Sequence, residues 1–102
     1  MTTFELQEEL NQSKDLLILD VRESSELEIC EFDKVLHIPM MEMPKFLVKV
    51  PKDKPVVVVC HLGIRSAMTV RYLQEKGFDN IHDLLGGIDH WAKNIDPLMQ
   101  QY

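Results

Sequence analysis

The chain is poor in cysteine and has no long apolar run, and each shortage excludes a class of protein. Two cysteines among 102 residues are too few for a disulfide scaffold, so we expect a reducing compartment such as the cytoplasm. The longest aliphatic runs, residues 16–19 and 56–59, are far shorter than the roughly 18 apolar residues that a transmembrane helix needs. We therefore expect no membrane-spanning segment and no membrane partner.

Basic residues are outnumbered by acidic ones, which argues against two further kinds of partner. The sequence has 11 Lys and Arg against 17 Asp and Glu, a net charge of −6. A nucleic-acid surface or an anionic-lipid anchor would need basic patches, so we expect neither.

Residues 1–5 also lack the basic and apolar regions of a secretory signal. His37, His82 and His90 lack metal-ligand spacing with any cysteine or carboxylate, and we expect no metal and no cofactor.

Strands and helices alternate along the sequence, without repeats, linkers or low-complexity segments. Continuous apolar runs predict buried strands, and an apolar period near 3.6 residues predicts helices. Strands are predicted over 16–21, 35–38, 56–60 and 81–84, and helices over 4–12, 24–29, 42–48, 64–76 and 88–93, with a further turn or helix over 94–102. This order predicts one α/β domain over 1–102, with three layers and a mainly parallel sheet.

Cys60 lies where the strand of valines ends and a short loop leads into a helix. In open parallel sheets the active site lies at the carboxyl ends of the strands, which is where Cys60 is expected. Loop amides and the first N–H groups of the helix would favour a negative charge on sulfur, and hence a reactive thiolate. The local pattern alone leaves a buried structural thiol equally open. Gly63 and the pair Arg65-Ser66 after the cysteine favour a nucleophile.

Four segments at suitable spacing resemble one family over nearly the whole chain, from about Phe4 to Ala92. They are Leu-Asp-Val-Arg-Glu at 19–23, His-Ile-Pro at 37–39, Cys-His-Leu-Gly-Ile-Arg-Ser at 60–66 and Gly-Gly-Ile-Asp-His-Trp at 86–91. Together they resemble a single-domain rhodanese-like sulfurtransferase. The resemblance implies a three-layer fold with about five strands and helices on both faces, and residues 1–4 would have to supply the short first strand.

The resemblance also implies a two-step reaction at Cys60. Its thiolate attacks the outer sulfur of a small anionic donor such as thiosulfate, sulfite leaves, and a persulfide forms on Cys60. A thiol or cyanide then accepts the sulfur, with a sulfur-relay protein as a further candidate partner. This is covalent ping-pong catalysis.

Three loop residues have expected roles around the sulfur. Gly63 should adopt positive φ, so that successive N–H groups point inward as an anion-binding nest. Arg65 should hold the sulfonate of the donor, because a guanidinium suits bidentate oxyanion binding, although a solvated position or a salt bridge to a carboxylate stays open. Ser66 has two equal interpretations, a hydroxyl donor to the loop or a helix N-cap.

The remaining residues of the site are expected to shape or support the loop. His61 and Leu62 should line its mouth, with His61 more a bystander than a charge-tuning group, and Ile64 should shape the rim with Leu62. Asp20 and Arg22 follow a strand end on the same side of the sheet, where an ion pair or a loop brace is expected.

Two alternatives to a catalytic sulfurtransferase remain. A related cell-cycle phosphatase fold has a loop one residue longer between cysteine and arginine than the four residues here, and the shorter loop suits a sulfur atom better than a phosphate. A carrier module could bind a partner and hold persulfide sulfur without fast turnover on thiosulfate. Cys30 could act as a second thiol, but a packed small side chain is the preferred interpretation.

Overall fold

The computed structural model describes residues 1–102, whose elements alternate much as predicted. The helices are α1 (Thr3–Asn11), α2 (Ser24–Leu27), α3 (Ile64–Glu75) and α4 (Gly87–Asn94). The strands are β1 (Leu17–Asp20), β2 (Leu36–His37), β3 (Val56–Val59) and β4 (Ile81–Asp83). Two 3₁₀ helices, Met40–Lys45 and Leu47–Lys49, lie between β2 and β3. None of the helices combines the length and the apolar character needed to cross a membrane.

The four strands form one parallel sheet in the order β2-β1-β3-β4. The two central strands are in register, with Leu17 opposite Val56 and Asp20 opposite Val59. Parallel strands end at the same edge of a sheet, so the residues that follow β1 and β3 lie side by side. This sheet confirms the α/β fold class and brings Arg22 to the edge where Cys60 lies.

Two apolar layers cover the two faces of the sheet. The first core layer consists of Leu19, Val21, Ile38, Met43, Val50, Val56, Val58, Cys60, Leu73, Phe78 and Ile81. The second core layer consists of Leu6, Ile18, Phe32, Val57, Val59, Leu84, Ile88 and Trp91. Alternate valines of β3 face alternate layers, because successive side chains of a strand point to opposite faces. Helix α3 supplies the first layer, α1 and α4 supply the second, and the sheet lies between them.

The strand expected over residues 1–4 is reduced to Met1, so the sheet has four strands and not about five. The Met1 amino group donates to the Asp83 carbonyl at 2.9 Å, and the Met1 carbonyl accepts from the Leu85 amide at 2.9 Å. Helix α1 begins at Thr3 because Thr2 and Glu5 form a reciprocal capping box. The chain therefore turns into a helix before a strand can lengthen along β4.

The α-helix predicted over 42–48 is wrong, because this segment forms the two 3₁₀ helices. Pro44 lies inside the first of them, where it lacks an N–H group and its ring would clash with a carbonyl of a continuing α-helix. Met43 is still buried in the first core layer. After α4 the tail forms one turn, in which the Met99 amide donates to the Asp96 carbonyl.

Candidate active site

The Cys60 sulfur lies inside the loop between β3 and α3, among polar groups. The amides of Gly63 and Ser66 donate to Sγ at 3.0 Å and 3.3 Å, and the Ser66 hydroxyl lies 3.3 Å from Sγ. Cys60 is 1% exposed and Ser66 is fully buried. As a thiol, Cys60 donates to the hydroxyl; as a thiolate it would accept from that hydroxyl and from both amides. The loop is therefore built to stabilise negative charge on this sulfur.

Gly63 makes this arrangement possible because it adopts a left-handed conformation at the start of α3. Its φ is 101°, and it occupies the N-cap position of the helix. A Cβ on Gly63 would lie 3.3 Å from the Gly86 amide nitrogen, which leaves little room for a side chain. Ser66 is therefore not the N-cap; it lies in the first turn of α3, where its hydroxyl meets the sulfur.

A second glycine allows helix α4 to bind the carbonyl groups of the loop. The first amides of α4 bind them: Ile88 donates to the Cys60 carbonyl at 2.9 Å and Asp89 to the His61 carbonyl at 3.0 Å. A Cβ on Gly87 would overlap both carbonyl groups, so only glycine allows α4 to approach this closely. Sequence analysis identified the glycine pair as part of a motif but missed this role, since the contact joins two distant segments.

Arg65 is held by a carboxylate that sequence analysis missed. Its Nη1 and Nη2 donate to Glu26 Oε2 and Oε1 at 2.7 Å and 2.8 Å, a bidentate ion pair at the mouth of the loop. The hydrogen bonds from Arg65 lower the pKa of Glu26 to about 2, and Glu26 in turn raises the pKa of Arg65. Sequence analysis left donor binding, a solvated position and a salt bridge open for Arg65, and the structure shows the salt bridge, to Glu26. The sequence feature that could have suggested this ion pair is the acidic Glu26 on the short helix after β1.

Asp20 and Arg22 form a fully buried ion pair behind this carboxylate. Arg22 Nε donates to Asp20 Oδ1 at 3.0 Å, and Nη2 donates to Oδ2 at 2.8 Å. Arg22 also donates to the carbonyls of Glu26 and Cys30 at 3.3 Å and 2.8 Å. A buried charge needs such complete pairing. The pair thereby ties the end of β1 to α2 and positions Glu26 for Arg65.

The outer residues of the loop surround its mouth. Leu62 and Ile64 are 54% and 69% exposed, so they form an apolar rim. The His61 ring stacks on the ring of Tyr102, with centroids 3.8 Å apart and planes at 11°. Tyr102 was missed, because no pattern in the sequence links the tail to this loop.

Cys30 and Cys60 are both free thiols in different surroundings. Cys30 packs against the second core layer, whereas Cys60 belongs to the first. The Cys30 sulfur has only a long contact, 3.9 Å, with Arg22 Nη1. The structure therefore does not bring Cys30 to the nucleophile. No group of three or more His, Cys, Asp or Glu side chains is arranged to hold a metal ion.

Comparison with known proteins identifies the family and the fold of this chain. The rhodanese-like domain family matches residues 2–94. The chain belongs to the rhodanese-like family. A solved rhodanese-like domain protein from Staphylococcus aureus has a TM-score of 0.86 and is 32% identical, covering all of this chain and 96% of that one. The family resemblance and the fold are thus confirmed.

Two rhodanese relatives of similar length are named for sulfur transfer. Thiosulfate sulfurtransferase GlpE of Coxiella burnetii is 35% identical over 83 residues, which cover 81% of this chain and 78% of that protein. A sulfurtransferase of Allochromatium vinosum is 32% identical over 94 residues, covering 92% and 88%. These relatives support a sulfurtransferase role for this rhodanese-like chain.

Proposed function

We propose that the chain transfers sulfane sulfur from thiosulfate or a persulfide donor to a thiol or cyanide acceptor, through a persulfide on Cys60. The observation that carries this proposal is the pair of amides, from Gly63 and Ser66, that donate to the Cys60 sulfur. Such donors favour the thiolate, which is the attacking form of a cysteine. Both cysteines are free, which fits a reducing compartment such as the cytoplasm.

The first step forms one bond and breaks one. The Cys60 thiolate attacks the outer sulfur of thiosulfate, the sulfur–sulfur bond of the donor breaks, and sulfite leaves with the bonding electron pair. In the second step the acceptor thiolate or cyanide attacks the terminal sulfur of the persulfide, and Cys60 leaves as the thiolate. The amides of the loop and the Ser66 hydroxyl stabilise that leaving group.

Arg65 is the group that we propose for binding the oxyanion of the donor. It is 30% exposed at the mouth of the loop, and Glu26 takes one N–H from each terminal nitrogen. The guanidinium has further N–H groups for an anion. Glu26 thus orients Arg65 and leaves part of its N–H groups for the anion.

A carrier role is the second candidate, favoured by the apolar rim. Leu62, Ile64 and Met68 are each more than half exposed beside the loop, which suits a protein donor or acceptor better than a small anion. The two roles differ in rate. A carrier should accept sulfur much faster from a protein persulfide than from thiosulfate, whereas a thiosulfate sulfurtransferase should use both.

Intact mass spectrometry after treatment with thiosulfate tests the proposal. The wild type and Cys30→Ser should gain about 32 Da, one sulfur atom, and Cys60→Ser should gain none. Cys30→Ser is the matched control, since it removes the other free thiol. A gain that persists in Cys60→Ser would contradict the nucleophile. Efficient hydrolysis of an aryl phosphate by the wild type would favour the phosphatase alternative instead.

A further inference from the structure

The tail after α4 returns to the mouth of the active-site loop. Its turn at Asp96 and Met99 directs the chain back along the sheet, and Met99 packs against the second core layer. Tyr102 is only 38% exposed although it lies in a tail. Its ring stacks on His61, the residue next to the nucleophile.

The hydroxyl of Tyr102 is bound on both sides by buried or half-buried charged groups. It accepts from Arg22 Nη1 at 3.1 Å and donates to Glu26 Oε1 at 2.9 Å. Burial raises the pKa of Tyr102 to about 12, so the hydroxyl stays protonated and keeps its donor role at neutral pH. The stack on His61 and these two bonds together hold the ring in one orientation.

This orientation places the ring between His61, the residue after the nucleophile, and the Glu26 carboxylate. Glu26 Oε1 accepts from both Tyr102 and Arg65, so the phenol lies beside the arginine that we propose for donor binding. The same ring covers His61 at the other end. The aromatic ring therefore spans the mouth from His61 to the Glu26–Arg65 pair.

We propose that Tyr102 is a specificity-determining residue whose ring forms one wall of the mouth and limits access to Cys60 to small reagents. The proposal rests on the proposed function for its consequence in sulfur transfer, since a narrow mouth selects thiosulfate over larger thiosulfonates. The contacts of Tyr102 with His61 and Glu26 do not depend on that function.

Alkylation of Cys60 tests the wall without any turnover. Iodoacetamide is the small reagent and monobromobimane the bulky one, and peptide mass mapping follows Cys60 alone. Tyr102→Ala should raise the bulky-to-small ratio of rate constants about tenfold, equivalent to about 1.4 kcal/mol of steric barrier. Tyr102→Phe keeps the ring and should stay within about twofold of the wild type. Unfolded chains lack the barrier, so both rate constants are measured at several urea concentrations below the unfolding transition, and a ratio that does not change with urea belongs to the folded chain.

Leu98→Ala is the matched control, because Leu98 lies in the same tail and is 94% exposed. It should leave the ratio at the wild-type value. The proposal is overturned if Tyr102→Ala keeps the wild-type ratio, or if Leu98→Ala raises the ratio as much. An equal rise in Tyr102→Phe also overturns it, since the ring would then not be the barrier.

The consequence for sulfur transfer is measured with benzenethiosulfonate and thiosulfate as donors. Tyr102→Ala should raise the ratio of kcat/KM for the larger donor over the smaller about tenfold. Failure of the proposed function has a different signature: the wild type would gain no sulfur on Cys60. The alkylation ratios would still decide whether Tyr102 is the wall.

Discussion

Cys60 follows strand β3 and Arg65 lies five residues later in the first turn of α3, yet different kinds of groups hold them. The Cys60 sulfur is held by main-chain amides of its own loop and the carbonyls of that loop by main-chain amides of α4. Arg65 is held by a side chain from α2, which itself meets Tyr102 from the tail. Main-chain groups can be displaced only by moving the backbone, whereas a side chain is removed by one substitution. The nucleophile region should therefore be sensitive to backbone changes and the arginine region to side-chain changes.

The largest effect is expected from Gly87→Ala, which adds a methyl group against the loop carbonyls. Overlap with two carbonyl groups and a positive φ of 64° should together lower the free energy of unfolding by about 4 kcal/mol. Displacement of the loop should also reduce kcat/KM about 100-fold in the fraction that folds. Urea unfolding and steady-state kinetics measure the two losses.

Gly77→Ala is the matched control for this backbone prediction. Gly77 has a φ of 94°, but nothing lies within 4 Å of an added Cβ. It should lose only about 1–2 kcal/mol, the cost of the left-handed conformation. Equal losses in the two variants would mean that contact with the loop carbonyls is unimportant.

Arg65→Ala tests the side-chain region. Loss of a hydrogen-bonded charge should remove about 1.5–3 kcal/mol of transition-state stabilisation. This lowers kcat/KM for thiosulfate roughly 10–100-fold. The free energy of unfolding should fall by only about 1 kcal/mol, because the ion pair is partly exposed. Arg71→Ala, an exposed arginine of the same helix, should change neither quantity. Unchanged thiosulfate kinetics in Arg65→Ala would remove its oxyanion role.

The Glu26–Arg65 pair should also be visible in the pH dependence of stability. The pKa of Glu26 falls from 4.5 to about 2 in the folded chain, so the unfolded chain takes up the proton first on acidification. The stabilisation is complete above pH 4.5 and is lost as the pH falls toward 2. After a reduction for solvent screening it should amount to about 1–2 kcal/mol.

Glu26→Gln cannot titrate and should lack that part of the slope. Urea unfolding at a series of pH values measures it. Glu75→Gln, on an exposed position of α3 without a salt bridge, is the control and should keep the wild-type slope. The same slope in Glu26→Gln and the wild type would show that the ion pair contributes nothing in solution.

The smallest effect is expected from Ser66→Ala, which removes the one side-chain partner of the Cys60 sulfur. Both amides remain, so the rate of Cys60 alkylation and kcat/KM should fall only about fivefold, near 1 kcal/mol. Ser25→Ala, an exposed serine of α2, is the control. A loss as large as that in Arg65→Ala would mean that the sulfur depends on side chains as much as the arginine does.

Sequence reasoning was most successful where structure depends on neighbouring residues. The valine run of β3, the glycine of positive φ and the start of α3 all follow from local preferences. It was wrong where one local signal outweighed another. Pro44 prevents the α-helix predicted over 42–48, and the capping box at Thr2 starts a helix where a strand was expected over residues 1–4. It did not predict the contacts that Glu26, Gly87 and Tyr102 make with segments remote in the sequence.

By itself the sequence determined the strand, the loop and the helix that carry Cys60, because steric preferences and hydrogen bonds within a short segment specify them. The tertiary structure alone decided which carboxylate binds Arg65 and which ring lies over His61. Those partners come from α2 and from the tail. Their positions depend on how the sheet and both core layers pack, and no local preference along the chain encodes a distance between remote side chains.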